Sequence, residues 1–259
     1  MLMSKRFGIA AVVVFAGAGI VFLGLNILDI AEDFRINIPS SILDTAFIST
    51  LALFIVVIAG RKYVSSGIKS LVWLGFGTLA FGAGNLTRWW LPVNGLDIPI
   101  TTNDIAILLA AVLHFSGAII GNTRKDATVS RLRPGLAAIF FGYAGVLAAV
   151  ALIVLLAFRG VTPSFYMHPA IRDVVRGISF VLFLTGSLIY LKLFLKLRYD
   201  YLYWYSLGLV FFTLGIFFLS QASIDSLLFW LGKAAYYSGH IYLLIAVIGV
   251  HLPESIDLE

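Results

Sequence analysis

The side chains able to do chemistry in this 259-residue chain are few, and they stand in apolar surroundings. Asp44, Arg88, Asp104, Arg172, Asp173, Arg176 and Lys233 lie within or at the edges of long apolar runs, with Asn26 and Asn85 at comparable positions. An ionisable group inside a membrane helix costs about 2.5–3.5 kcal/mol on insertion scales, so each demands a partner, water or a ligand. Together these groups could line a polar pocket open to the outside. The competing reading makes them interfacial ion pairs and side chains that snorkel to the headgroups. Arg172 and Arg176, spaced i and i+4, share a helical face. At a helix N-terminus they oppose the dipole, so an anionic partner is expected, either Asp44 or a bound anion.

His114 and His240 form the second candidate constellation. Each falls roughly 11 to 13 residues into an apolar run of the same direction, so at 1.5 Å per residue their depths agree within about 3 Å. Two imidazoles at one depth could ligate a haem axially, hold a metal or relay protons. Neither sits in a metal or haem spacing motif, and the simpler reading is a buried histidine bonded to a helix carbonyl or to Ser116 or Ser238. No cofactor is therefore expected, with haem on His114 and His240 kept as the alternative. Gly117 and Gly121, and Gly75, Gly77, Gly82 and Gly84, suit close helix packing in lipid. No phosphate loop, Ser-His-Asp arrangement, HExxH or paired-carboxylate signature is present, so no enzyme activity is expected.

These residues must be positioned by membrane helices. The chain is 61% hydrophobic and 12% charged, against about 25% charged in soluble domains. So little charge cannot cover a water-facing surface. A helix needs about 20 mainly apolar residues to cross about 30 Å of hydrocarbon, and eight stretches qualify: 7–28, 41–60, 70–90, 103–121, 135–158, 172–197, 202–220 and 227–250. They lack the alternation of a membrane barrel, and all seven prolines fall at or outside their ends. The expected fold is a single all-α polytopic membrane domain of eight transmembrane helices.

The net charge of +5 arises from short basic clusters between runs, which suits anionic headgroups and not nucleic acid. Lys5, Arg6, Arg61, Lys62, Lys69, Arg124, Lys125, Arg131, Arg133, Lys192, Lys196 and Arg198 fall on one side, twelve of the 18 basic residues. The positive-inside rule then puts both termini in the cytoplasm, in a cell membrane. Trp89, Trp90, Tyr201, Tyr203, Trp204, Tyr205 and Trp230 lie near run ends, as interfacial anchors do. There is no cysteine, so disulfides and thiolate sites are excluded.

Two halves, 1–125 and 134–251, align at an offset near 129 residues. Ile42 and Asp44 meet Ile171 and Asp173, and Trp73, Gly77, Phe81 and Gly84 share the spacing of Trp204, Gly208, Phe212 and Gly215. A four-plus-four duplication would create a pseudo-twofold axis along the membrane normal, with a site between the halves.

Gly160-Val161-Thr162-Pro163 before the sixth run, Trp204 opening the seventh and Gly239-His240 within the eighth resemble the multi-helix membrane sensor domains of archaeal and bacterial histidine kinases and cyclase-type receptors. The resemblance implies detection of a small or lipid-soluble cue and a helix movement passed to a cytoplasmic output. Only His251 to Glu259 follow the last run, so that output is expected on a separate signalling protein or in a longer chain of which this is a fragment. The expected function is a sensor or receptor-like module binding its ligand at Asp44, Asn85, Arg88, Asp104, Asp173, Arg176, Lys233, His114 and His240. The alternatives are a small-solute transporter of two four-helix halves and a haem-bearing electron carrier.

Overall fold

In lipid every backbone N–H and C=O must find its partner within the protein, and runs of this length do so as helices. The computed structural model describes residues 40–91, 97–123, 136–223 and 226–250, and every regular element among them is helical. The helices are α1 (Ser40–Ser66), α2 (Lys69–Trp90), α3 (Asp97–Thr123), α4 (Leu136–Phe158), α5 (Pro169–Leu197), α6 (Asp200–Gln221) and α7 (Leu227–Ile248). All but α2 are long and apolar enough to cross a membrane. The expected run at 7–28 lies outside the described residues.

The helices outrun the apolar stretches at several ends. α3 begins at Asp97 instead of 103 and takes Pro99 into its first turn, where a missing N–H breaks no intrahelical bond. Pro169 likewise opens α5. α1 continues through Arg61, Lys62 and Tyr63 until Gly67 adopts φ 70° and donates its N–H to the Tyr63 carbonyl at 2.7 Å. Within α1, Thr45–Thr50 forms a π-helical segment directly after Asp44. Asn85 of α2 braces that segment, donating to the Asp44 carbonyl at 3.2 Å and to Ser49 Oγ at 3.1 Å.

Six helices close into a ring in the order α1, α2, α3, α5, α6, α7 and back to α1, and α4 packs outside against α2 and α3. Large rings fill the centre. Phe81 of α2 stacks on Phe212 of α6 with centroids 4.8 Å apart, and Tyr236 of α7 meets Phe81 edge-on at 5.0 Å. α4 is the most lipid-exposed helix, with Phe140 and Phe141 both about 70% exposed.

Glycines bring neighbouring helices together around the ring. In α1–α3, Gly77 faces His114, Gly82 faces Ala52 and Gly84 faces Ala106; in α5–α7, Gly208 faces Leu243, Gly215 faces Tyr236 and Gly239 faces Phe212. A methyl on Gly84 would lie 2.3 Å from that of Ala106. Gly84→Ala is therefore expected to destabilise by about 1–3 kcal/mol through overpacking, read as an earlier midpoint in an SDS titration from mild detergent. Gly145→Ala on α4, with nothing within 4 Å of the added carbon, should leave the midpoint unchanged or raise it.

Candidate functional site

One end of the ring collects the starts of α1, α3, α5 and α7 and the ends of α2 and α6. Most of the ionisable groups singled out in the sequence gather there, in two clusters. The first joins α1, α2 and α7. Asp44 is fully buried and receives Lys233 Nζ and Trp89 Nε1 (2.7 Å) on Oδ2, and the Tyr237 hydroxyl (2.7 Å) on Oδ1. Lys233, 1% exposed, also stands 5.6 Å from the Trp89 ring and 5.4 Å from the Phe229 ring. The carboxylate thus holds a cation and two neutral donors, which offsets its loss of water. Trp89 serves here as a partner of Asp44, not only as an interfacial anchor, and Trp230 is buried beside Phe229. Trp90, 62% exposed, keeps the anchor's position.

The second cluster joins α3 and α5. Asp104 Oδ2 accepts from Arg172 Nε at 2.9 Å and from Arg176 Nε at 3.1 Å, while Arg176 Nη2 reaches Oδ1 at 3.4 Å. Arg176 Nη1 donates to the Leu219 carbonyl at 3.2 Å, near the end of α6 where carbonyls lack helical partners. The anion expected to be Asp44 is therefore Asp104. The ring order explains this: α5 neighbours α3 and not α1, and Asp44 is already taken by Lys233. Outward of the cluster, Asp97 Oδ1 accepts from Ser164 Oγ at 2.6 Å, and Thr101 Oγ1 accepts from the Phe165 N–H at 3.1 Å. These bonds tie the α4–α5 connection to the start of α3, a role the sequence did not suggest for Asp97.

Arg88 is half-buried, 5.2 Å from the Trp89 ring, and has no carboxylate within 4 Å among the described residues. Its neighbour in sequence, Trp89, belongs to the Asp44 cluster, so Arg88 stands beside that cluster. Asp173 is exposed and makes no ion pair among the described residues. It belongs to a groove between the start of α5 and the end of α6, about 640 Å³, lined by Asp173, Arg176, Gly177, Phe180, Ile216, Phe217, Ser220 and Gln221. Of the nine expected ligand residues, two line this groove.

No family model, curated protein or solved structure matches the chain. What the site can do must then be read from its own geometry.

His114 and His240 lie deeper, both fully buried, with their rings 6.2 Å and 4.8 Å from that of Phe212. His114 Nδ1 is 2.8 Å from the Tyr205 hydroxyl, and His240 Nδ1 is 2.8 Å from the Tyr236 carbonyl. A carbonyl only accepts, so His240 carries its proton on Nδ1 and leaves Nε2 a bare acceptor. Ser116 and Ser238 are not the partners, because residues two apart on a helix point to different faces. Neither Nε2 has a hydrogen-bond partner among the described residues. A Cβ on Gly77 would come within 2.5 Å of His114 Nε2, and Phe81 meets His240 edge-on at 5.1 Å. Axial ligation of a haem by both imidazoles would need Phe81, Phe212 and the α2 backbone to move aside. Among the described residues, no three His, Cys, Asp or Glu side chains stand close enough to hold a metal ion.

Proposed function

We propose that this chain is a membrane-embedded sensor or receptor-like module that takes a small or lipid-soluble ligand at the acid–base end of the ring. The observation that carries the reading is the α5–α6 groove, which sets Asp173 and Arg176 beside an apolar floor of Phe180 and Ile216. Arg176 links that groove to Asp104 on α3 and to the end of α6. A ligand drawing on Arg176 therefore acts on three helices at once.

The ring's opposite end carries Arg61, Lys62, Lys69, Lys192, Lys196 and Arg198, which favours the cytoplasm for that end, the outside for the groove, and a cell-membrane location. There Lys62 Nζ donates to the Val250 carbonyl at 2.8 Å, joining α1 to the end of α7. A shift of α7 past α1 would be felt at this bond, which suits output to a cytoplasmic signalling protein and agrees with the resemblance to kinase sensor domains.

Hydrogen–deuterium exchange tests the reading, with the full chain in nanodiscs whose phosphatidylethanolamine fraction is raised stepwise in phosphatidylcholine. The expected result is a graded change in protection at the Lys62 end of α1 and α7 that Arg176→Gln removes. A protection pattern at that end that Arg176→Gln leaves unchanged in every lipid mixture would sink it.

A transporter of two halves is the second reading, favoured by the ring itself. The α7–α1 and α3–α5 seams each carry one ion-pair cluster. With the expected helix at 7–28 and α4 added, the aligned halves would give eight crossings related about the membrane normal, with α4 reaching across to pack on α2 and α3 of the other half. Solute uptake into proteoliposomes, abolished by cross-linking one seam, would move the assignment to this reading.

A further inference from the structure

Among the described residues, the mouth of the α5–α6 groove pairs one carboxylate without a cation with one arginine that has N–H groups to spare. Arg176 spends one N–H at each of Nε, Nη1 and Nη2. A guanidinium has five, so among the described residues one on each terminal nitrogen remains. Asp173 is exposed, and its carboxylate makes no ion pair among the described residues. Spaced i and i+3, the two side chains project from one face with Cβ atoms roughly 5–6 Å apart. That is the separation at which a head with an ammonium two carbons from a phosphate can address both.

Below the mouth the lining changes character. Phe180 lies one helical turn further along α5, about 6 Å deeper, and Ile216 faces it from α6. Ser220 and the exposed Gln221 complete the polar rim. Beside the groove α5 presents Val174, Ile178 and Val181, 61%, 46% and 54% exposed. The groove therefore opens sideways onto an apolar face, where an acyl chain would remain in lipid. A volume of about 640 Å³ falls in the ~300–1,000 Å³ range of small-ligand sites.

We infer that the groove binds a phospholipid with a primary-amine headgroup, its phosphate on Arg176, its ammonium on Asp173 and its upper chain along Phe180 and Ile216. The inference rests on the groove being the ligand site and names the ligand's class. An anionic glycerol headgroup would leave Asp173 facing negative charge. A choline headgroup has no N–H to donate to it.

The test is native mass spectrometry of the full chain, incubated in detergent with phosphatidylethanolamine, phosphatidylglycerol and phosphatidylcholine of matched chains, and separately with free glycerophosphoethanolamine. Phosphatidylethanolamine should be retained about tenfold over the other two, the equivalent of one hydrogen bond to a charged group. Asp173→Asn, an exposed change, should erase that preference by lowering phosphatidylethanolamine retention to the level of phosphatidylcholine. Phe180→Ala should weaken retention of all three.

Equal retention of the three lipids, or a preference that survives Asp173→Asn, would overturn the amine assignment while leaving the groove as a lipid site. Free glycerophosphoethanolamine bound as well as the lipid would overturn the lipid source. Retention of nothing would overturn the groove as a ligand site, and the proposed function with it.

Discussion

Lys233→Met should lower the unfolding free energy by about 3–5 kcal/mol, the cost typical of removing one partner from a buried ion pair. Asp44 is wholly enclosed, so without Lys233 its charge keeps only the neutral donors Trp89 and Tyr237. Protonation of the carboxylate is its remaining escape. The double variant Asp44→Asn/Lys233→Met should recover most of the loss, because an amide oxygen still accepts from Trp89 or Tyr237 and no ion remains buried. Steric trapping or SDS titration of the single and double variants gives the coupling energy. A single-variant loss below about 1 kcal/mol, the value of an exposed pair, would mean that water reaches Asp44.

Asp104→Leu should be at least as damaging. One carboxylate there serves two arginines, so its removal leaves two cations facing each other across one turn of α5 as well as unpaired. A loss of about 3–5 kcal/mol is expected on the same grounds. Arg172→Gln should cost less than about 1 kcal/mol: its side chain is 26% exposed, and Arg176 keeps both oxygens of Asp104 occupied. The asymmetry separates this cluster from the Asp44 pair, where either single removal is severe. If Asp104→Leu and Arg172→Gln shifted the SDS midpoint equally, the carboxylate would not be the organising group.

All seven helices that the structure describes were legible in the apolar runs, because lipid leaves such segments few alternatives. Their ends were less so: Pro99 and Lys62 read as boundaries, yet a first turn tolerates proline and a helix can run on into water. That Asp44, Arg88, Asp104, Arg172, Arg176 and Lys233 share one end was also readable, from depth alone. Which of them pair was not. Partner choice follows from the ring order, and run lengths carry no information about which helices are neighbours. Tyr237 and Asp97 escaped notice for a similar reason, since a tyrosine in mid-run looks like packing and an aspartate shortly before a proline looks like a loop.

The imbalance between α2 and its neighbours bears on how the protein is made. Gly77, Gly82, Gly84 and Asn85 suit α2 to its slot between α1 and α3, but the helix falls short of the hydropathy of the other six. A segment of that kind leaves the translocon poorly by itself. Its entry into the bilayer must wait for a more greasy companion, so α2 and α3 should integrate as a hairpin during synthesis, and truncation between them should strand α2 at the aqueous side.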